Sequence, residues 1–587
     1  MRKYTLIALG LAFCLSGTHW ATAQQSIDYV QLPTTQAASA AYDDSYSIFH
    51  PVIAQEAIIA TEEQHATQAG LQILQEGGNV IDAAVTIGFT LAVTVPNAGN
   101  IGGGGFMLYH DADTQRTYAL DFRETAPKGA HPNTFLDTTG NVIDGRSLYS
   151  PYAVGVPGTV AGLIDAHKRW GRLPLERLLQ PAIQLAEEGF EVSPTLARAL
   201  ERTAEYMAPW PATTAIFWRD GRPLQAGERL IQKDLAQSLR LIATQGAAAF
   251  YEGPIAHAIA AEMEQYPGAI TLDDLKNYRV AWRDPLIGTY RDYTIATMPP
   301  PSSGGVHVLQ ILNIAETWPL KEWGHNSAHT IHHLAEAMKY AYADRSVYLG
   351  DPDFFAVPVE GLTSKAYARH IAAKINAQHA TPAHDIYAGQ PHDYESDQTT
   401  HYSILDKHGN AVSVTYTLNT NFGSGIVVPG TGILLNNEMD DFSLKPGVAN
   451  AYGLIGGAAN AVEAGKRPLS SMTPTIVFQD GAPLLVTGSP GGARIITTVL
   501  QTLINALDYD MNPAQNAASA RFHHQWLPDE LRLEHGFSPD TQRLLEERGH
   551  HIRIKAAMGR TQTVQNRQGV LQGYSDPRNP DGLTLGF

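Results

Sequence analysis

The chain has 587 residues and a formal charge of −17, because 41 basic residues are set against 58 acidic ones. Charged residues are only 17% of the chain and hydrophobic residues 44%, a balance that supplies a large core and excludes intrinsic disorder. The acidic balance argues against a nucleic-acid binder, which needs a basic face to neutralise phosphates.

The N-terminus has the pattern of a secretory signal. Residues 1–3 are basic at positions 2 and 3, residues 6–15 are apolar, and Ala21–Ala23 has the small-x-small pattern of a cleavage site. Ten apolar residues are too few to span a bilayer, so we expect a signal peptide over residues 1–23 and a periplasmic or secreted protein with no membrane anchor. Cys14 is the only cysteine, so disulfides and thiolate chemistry are excluded from the mature chain.

The next three hundred residues are dominated by helical patterns. Leucines at helical spacing over residues 175–185 predict a helix with a stop at Gly189, which Pro181 is predicted to divide in two. Residues 325–344 form another helical run. The glycines at 102–105 lack the lysine of a phosphate-binding loop, so we interpret them as a close backbone contact.

Four histidines in the second helical run are the main candidates for a metal site, at positions 325, 329, 332 and 333. No HExxH motif is present, which favours packed or helix-face histidines over metal ligands. We therefore predict no metal and no organic cofactor.

A change in pattern follows residues 376–398, a polar stretch with two prolines that predicts an exposed linker. After it the hydrophobic period becomes two. Residues 399–405 and 411–419 predict one hairpin, and 473–479 with 483–487 predict a second. The chain is therefore α+β with a boundary near residue 398.

The segment Gln398–His401 joins this linker to a strand and is the most informative for chemistry. An internal threonine is a poor nucleophile, but a cut before Thr399 creates an α-amino group with a pKa of about 7.7–8.0 beside its own hydroxyl. That amine can act as the general base. Thr417 and Asn419 point the same way on the neighbouring strand, where they either converge on Thr399 or form a solvated polar face.

Three further segments carry polar groups suited to a site. Gly491 and Gly492 precede an apolar helix and can present backbone N–H groups to an oxyanion, although a tight turn or a phosphate cradle has the same pattern. Ser470 and Ser471 supply hydroxyls before a strand. The carboxylates within residues 436–441 are candidates for Ca²⁺ or for a substrate ammonium.

Six blocks, in order, closely resemble those of the γ-glutamyltranspeptidases: DFRE at 121–124, QTTHYS at 398–403, TYTLN at 415–419, LLNNEMDDF at 434–442, RPLSSMTP at 467–474 and TGSPGGAR at 487–494. The resemblance implies an N-terminal-nucleophile hydrolase with a four-layer αββα sandwich. It also implies a precursor that cuts itself between Gln398 and Thr399. The large subunit, 24–398, and the small catalytic subunit, 399–587, would then remain one intertwined heterodimer.

The resemblance further implies roles for individual residues. Thr399 would be the nucleophile, Thr417 its hydroxyl partner, and Gly491 and Gly492 the oxyanion donors. The residues implied to bind substrate are Arg123, Ser470 and Ser471 at the α-carboxylate, Asn419, Glu438 and Asp441 at the α-ammonium, and Tyr452 in a lid loop over residues 445–452.

The activity that this resemblance implies is cleavage of the γ-glutamyl amide of glutathione and related compounds through an ester on Thr399. Water would resolve the ester as hydrolysis, and the amine of an amino acid or peptide would resolve it as transpeptidation. Two alternatives remain: an acylase of the same fold acting on glutaryl or cephalosporin-type groups, and a non-catalytic periplasmic binding protein for amino acids or peptides.

Overall fold

The structure is a computed structural model that describes residues 48–387, 399–445, 448, 450–451, 453–454 and 456–587. The predicted signal peptide, Gln398 and Tyr452 lie outside the described residues. The strands are β1 (Val52–Ala54), β2 (Ala57–Thr61), β3 (Gly104–Asp111), β4 (Arg116–Asp121), β5 (Phe190–Glu191), β6 (Trp218–Arg219), β7 (Arg222–Pro223), β8 (Arg229–Leu230), β9 (Ala281–Arg283), β10 (Leu286–Tyr290), β11 (Tyr293–Thr297), β12 (Thr400–Asp406), β13 (Ala411–Thr417), β14 (Val427–Val428), β15 (Ile433–Leu434), β16 (Thr475–Gln479), β17 (Ala482–Thr487), β18 (Phe522–His523), β19 (Leu531–Leu533), β20 (Ile552–Ile554), β21 (Gln562–Arg567), β22 (Val570–Ser575) and β23 (Leu583–Gly586).

The α-helices contain more residues than the strands do. They are α1 (Gln64–Gln75), α2 (Val80–Thr94), α3 (Thr159–Trp170), α4 (Leu175–Glu188), α5 (Pro194–Met207), α6 (Pro211–Phe217), α7 (Lys233–Gln245), α8 (Ala247–Tyr251), α9 (Pro254–Met263), α10 (Leu272–Asn277), α11 (Gly304–Ala315), α12 (Leu320–Trp323), α13 (Ala328–Tyr348), α14 (Val359–Leu362), α15 (Lys365–Ala372), α16 (Arg494–Leu507), α17 (Pro513–Ala518) and α18 (Pro539–Glu547). Within the described ranges, none of these helices is both long and apolar enough to cross a bilayer.

Two seven-stranded antiparallel sheets form the centre of the molecule. Sheet I has the strand order β1-β22-β21-β17-β16-β11-β10, and sheet II has the order β23-β2-β12-β13-β3-β4-β9. The two sheets stack through β2, β12 and β13 of sheet II, which contact β21, β22 and β17 of sheet I. Helices α1 and α2 cover the outer side of sheet II, and α11 packs against β10 of sheet I. This layering is the predicted αββα sandwich.

Both sheets combine strands from before and after residue 398. In sheet II, β12 and β13 lie between β2 and β3, and in sheet I, β16 lies between β11 and β17. The apolar residues of β12 and β13 pack into the same core as α2 and α4, with Tyr402, Val414 and Tyr416 fully buried or nearly so. Each of the two central sheets is therefore formed jointly by the segment before residue 398 and the segment after it.

The polar face of β13 is buried, because it lies between the two sheets. The Ser413 hydroxyl donates to Thr487 O at 3.1 Å, and the Thr415 hydroxyl lies 2.8 Å from His401 Nδ1. These side chains do not form the solvated face that their composition allowed. Buried polar groups need such partners, and the second sheet supplies them.

The structure corrects one local prediction and supports another. Residues Leu175–Glu188 form one continuous helix with Pro181 inside it, because its buried face, including Leu178, Leu179 and Ile183, is anchored in the core on both sides of the proline. The described start of the linker, residues 376–387, is mostly exposed, as predicted, and is anchored at two buried residues. Ala383 and Ile386 are buried, and the indole Nε1 of Trp526 donates to both of their carbonyls.

The glycines at 102–105 form the predicted close backbone contact. A β-carbon on Gly102 would lie 1.9 Å from Leu434 O, and one on Gly103 would lie 2.1 Å from Thr417 O. Because both clashing atoms are backbone atoms, larger residues would displace the strand ends that carry Thr417 and the segment 434–441. The Gly189 stop is also confirmed, with a φ of 78° at the end of α4.

Candidate active site

One pocket brings together nine of the residues singled out from the sequence. It lies where β12 begins and β13 ends, beside the N-terminus of α16. The predicted residues that line it are Arg123, Thr399, Thr417, Asn419, Glu438, Asp441, Ser470, Ser471 and Gly492. Four apolar residues that were not predicted complete the described wall, namely Leu454, Met472, Ala493 and Ile495.

Thr399 and Thr417 are neighbours across the β12–β13 ladder. Thr400 pairs with Tyr416 in antiparallel register, so the next pair outward is Thr399 with Thr417. Asn419 lies just beyond, and its N–H donates to the Thr417 hydroxyl at 2.8 Å. Asn419 has a φ of 77°, a conformation that asparagine tolerates better than most residues and that is common at functional sites.

Arg123 is fully buried directly after β4 and is surrounded by carboxylates. Its Nη2 donates to Asp441 Oδ2 at 2.5 Å, and its Nη1 forms an ion pair with Glu438. Glu124 Oε2 lies 3.7 Å from Nη1. With these pairs formed the cavity measures about 20 Å³, room for about one water molecule.

Three carboxyls, those of Glu124, Glu438 and Asp441, face two guanidiniums, because Arg345 also acts on Asp441. Burial raises the pKa of Glu124 to about 7 and that of Glu438 well above its usual range, against the opposing effect of Arg123. Burial acts against the charged form of Arg123, but Glu438 and Asp441 raise its pKa on balance. We infer that Arg123 stays charged at neutral pH while one carboxyl of the cluster carries a proton.

Arg345 is a site residue that the sequence analysis missed. It is a buried residue of α13, and its Nη2 donates to the Ser471 hydroxyl at 3.1 Å while its Nε donates to Ser303 Oγ at 2.8 Å. Ser303 Oγ in turn donates to Ser470 O at 2.7 Å, so Arg345 holds both ends of the serine pair. Burial lowers the pKa of Arg345 to about 10. An arginine near the end of a helix has no spacing signal that points to a site over a hundred residues away.

The glycine loop enters the pocket at the N-terminus of α16. Gly491 and Gly492 both have positive φ, 140° and 55°, a conformation that L side chains disfavour. Their carbonyls accept from the N–H groups of Arg494 and Ile495, each at 3.1 Å. Gly492 lines the pocket, whereas Gly491 lies one residue behind the described lining.

Two of the predicted site residues, Gln398 and Tyr452, lie outside the described residues. Described parts of the predicted lid loop nevertheless contact the acidic pair at 440–441. Asn450 Nδ2 donates to Asp441 Oδ1 at 3.1 Å, and Ala451 N donates to Asp440 Oδ2 at 2.6 Å. The loop is therefore tied to a carboxylate that also holds Arg123.

No histidine is among the described residues that line the pocket. His401, next to the candidate nucleophile in sequence, lies between the sheets, where burial lowers its pKa to about 3. It contacts the hydroxyls of Thr415 and Ser403. A buried neutral ring with both nitrogens in contact with hydroxyls is a structural group, so a base for Thr399 has to come from elsewhere.

The stacked sheets between helices, with a threonine in the pocket at the start of a central strand, define the fold of an N-terminal-nucleophile hydrolase. The profile of the γ-glutamyltranspeptidase family matches residues 66–585. The chain belongs to this family. It is 53% identical to the glutathione hydrolase proenzyme of Escherichia coli K12, over 94% of this chain and 95% of that protein.

Solved structures agree with this assignment. A cephalosporin acylase from Bacillus halodurans matches with a TM-score of 0.82 at 30% identity, over 92% of this chain and 97% of that chain. A γ-glutamyltranspeptidase from Helicobacter pylori matches with a TM-score of 0.54 at 46% identity, over 56% of this chain and 95% of that chain. The fold alone therefore does not indicate whether the substrate carries a glutamyl or another acyl group. That specificity has to be argued from the residues of the pocket.

Proposed function

We propose that the chain is a self-cutting precursor of a γ-glutamyltranspeptidase that hydrolyses glutathione and related γ-glutamyl compounds. The observation that carries this proposal is the presence of Arg123 and Asp441 in the same pocket as Thr399. A guanidinium and a carboxylate fit the two charges of a free amino acid head, and the γ-carbonyl of that head then reaches the threonine.

Substrate binding requires the ion pairs of the cluster to exchange partners. The substrate α-carboxylate displaces carboxylates from Arg123, and the α-ammonium takes the place of the guanidinium at Asp441. The hydroxyls of Ser470 and Ser471 assist at the carboxylate, with Ser471 oriented by Arg345. Asn419 and Glu438 complete the ammonium side. Because a zwitterion carries no net charge, this exchange leaves the net charge of the buried cluster unchanged.

The chemistry starts from the free amine that a cut between Gln398 and Thr399 creates. This amine accepts the hydroxyl proton as Thr399 Oγ1 bonds to the γ-carbonyl carbon, and Thr417 orients the hydroxyl. Backbone N–H groups at Gly491 and Gly492 stabilise the oxyanion. The leaving amine takes the proton and departs as the C–N bond breaks, which leaves a γ-glutamyl ester on Thr399.

Water or an acceptor amine then attacks the ester carbonyl and restores the threonine hydroxyl. Attack by water releases glutamate, and attack by an amino acid or peptide amine forms a new γ-glutamyl amide. We further propose that residues 1–23 direct export and that the 24–398 and 399–587 subunits stay together as a heterodimer. The interleaved strands of sheets I and II support this association.

The decisive test compares Thr399→Ala with Thr399→Ser. We expect the alanine variant to run as one uncut chain without activity on a γ-glutamyl anilide, whereas the serine variant, which keeps a hydroxyl and an amine, retains partial cutting and activity. Mass spectrometry of the wild-type protein should find two chains, and N-terminal sequencing should find Thr-Thr-His at the start of the small subunit. Two chains from Thr399→Ala would show that an outside protease makes the cut.

A further inference from the structure

A second buried cluster in the described residues combines two imidazoles and a carboxylate. His332 and Glu336 lie four residues apart on one face of α13, and His550 lies between α18 and β20. One donor atom from each residue lies within 4.8 Å of the other two. All three side chains are buried. His329 and His333 instead pack against Trp323, as the sequence analysis expected of the histidine run.

The hydrogen bonds of this cluster orient ligand atoms inward. His332 Nε2 lies 2.7 Å from Asn376 O, and because a carbonyl only accepts, Nε2 carries the hydrogen. His332 Nδ1 therefore accepts a hydrogen bond from His550 Nε2 at 2.8 Å, and a cation that binds both nitrogens requires the hydrogen of His550 to move to its Nδ1. A backbone carbonyl on the outer nitrogen is the arrangement that holds metal-binding histidines.

Glu336 accepts a hydrogen bond at one carboxylate oxygen and is paired with the Lys339 ammonium at the other. Its Oε2 accepts from Thr381 N at 3.0 Å. Its Oε1 forms an ion pair with Lys339 Nζ at 2.6 Å and accepts no hydrogen bond from the part of the chain that the structure describes. Lys339 also donates to Thr381 O at 2.6 Å, so the ammonium has a second anchor and is a competitor for this oxygen.

We propose that His332, Glu336 and His550 form a Zn²⁺ site. Two imidazole nitrogens and a carboxylate oxygen are a donor set typical of Zn²⁺, with water as the fourth ligand. At Zn–N distances of about 2.0–2.1 Å, a tetrahedral ion separates two nitrogens by roughly 3.3 Å, so the rings need to open by roughly 0.5 Å. The alternative is a plain hydrogen bond between the rings.

The position of the site gives it a structural role. His332 and Glu336 belong to the segment before residue 398, and His550 belongs to the segment after it. An ion here would bridge the two subunits of a cut precursor. Its three ligand residues are distant in sequence from Thr399. The inference does not depend on the proposed activity, because metal content and stability can be measured on inactive protein.

The test uses purified, tag-free protein that has been stripped with EDTA, dialysed and titrated with Zn²⁺. We expect one Zn²⁺ per heterodimer by elemental analysis, and a tetrahedral absorption band when Co²⁺ replaces Zn²⁺. His550→Gln should weaken binding at least tenfold. His333→Gln, a matched change on the same helix, should leave binding unchanged. Folded wild-type protein that takes up no Zn²⁺, or equal binding by wild type and His550→Gln, would overturn the proposal.

A second variant changes the affinity in the opposite direction. Lys339→Gln removes the competing ammonium and keeps an N–H donor for Thr381 O. We expect Zn²⁺ to bind about tenfold more tightly to this variant, with circular dichroism confirming its fold. Unchanged or weaker binding would mean that the ion does not sit beside Glu336, and would also overturn the assignment.

Discussion

At the scale of single residues, Asp441 has two partners that depend on its charge. It accepts from Arg123 and from Asn450 Nδ2 in the closed pocket. In the proposed complex it binds the substrate ammonium. We predict that Asp441→Asn raises the inhibition constant of L-glutamate by about 10- to 100-fold, because a hydrogen bond between charged groups is worth about 1.5–3 kcal/mol.

The ligand that tests this interpretation is glutarate, which has the same carboxylates and no amine. Its inhibition constant should change less than threefold in Asp441→Asn, measured against hydrolysis of a γ-glutamyl anilide. Asp480→Asn, in the exposed turn between β16 and β17, controls for the loss of one negative charge. Equal losses for glutamate and glutarate would show that Asp441 maintains the pocket rather than binding the ammonium.

At the scale of elements, the loop before α16 presents backbone rather than side chains. A β-carbon on Gly491 would have its nearest neighbours at 3.6 Å, so space is available, but a φ of 140° strains any L residue. We predict that Gly491→Ala destabilises the protein by about 1–3 kcal/mol and lowers kcat at least tenfold, because the loop relaxes and its N–H groups move.

Gly481 provides the matched control for this loop. It also has a positive φ, 82°, and open space around it, but it lies in the β16–β17 turn. Gly481→Ala should lower the melting temperature to a similar extent and leave kcat unchanged. If both variants kept the wild-type kcat, the N–H groups of the 491–492 loop would have no part in catalysis.

At the scale of the whole molecule, a buried carboxyl lies where the segment before residue 398 contacts the segment after it. Glu62 follows β2, and among the described residues neither of its oxygens has a hydrogen-bond partner. Arg560 Nη2 forms an ion pair with Glu62 Oε2 at 3.4 Å. Burial raises the pKa of Glu62 from 4.5 to about 7. The folded state therefore favours the protonated form, and this contribution to stability is present below pH 4.5 and lost as the pH rises through about 7.

The corresponding prediction concerns Glu62→Gln. At about pH 3.5 the two proteins should have nearly equal melting temperatures, because the Glu62 carboxyl is then neutral in both the folded and the unfolded state. At pH 8 the variant should melt several degrees higher, because it avoids a buried charge that costs about 1–3 kcal/mol after the Arg560 pair is allowed for. Differential scanning calorimetry of both proteins at the two pH values measures this, and a variant less stable at pH 8 would show that the ion pair outweighs burial.

Local patterns by themselves determined the hairpins, the glycine contact at 102–105 and the polar character of the segments that form the pocket. These features depend on neighbouring residues, through the period of two in a strand and the small size of glycine. The six sequence blocks extended this to the αββα fold and to the nine residues that line one pocket.

Only the tertiary structure decided which faces are buried and which distant residues meet. Pro181 stays within one helix because the core holds both sides of it, and the polar face of β13 is interior because sheet I covers it. Arg345 joins the serine pair, and His550 meets His332 from 218 positions away along the chain. Such contacts are set by how sheets and helices stack, and no spacing along the chain encodes them.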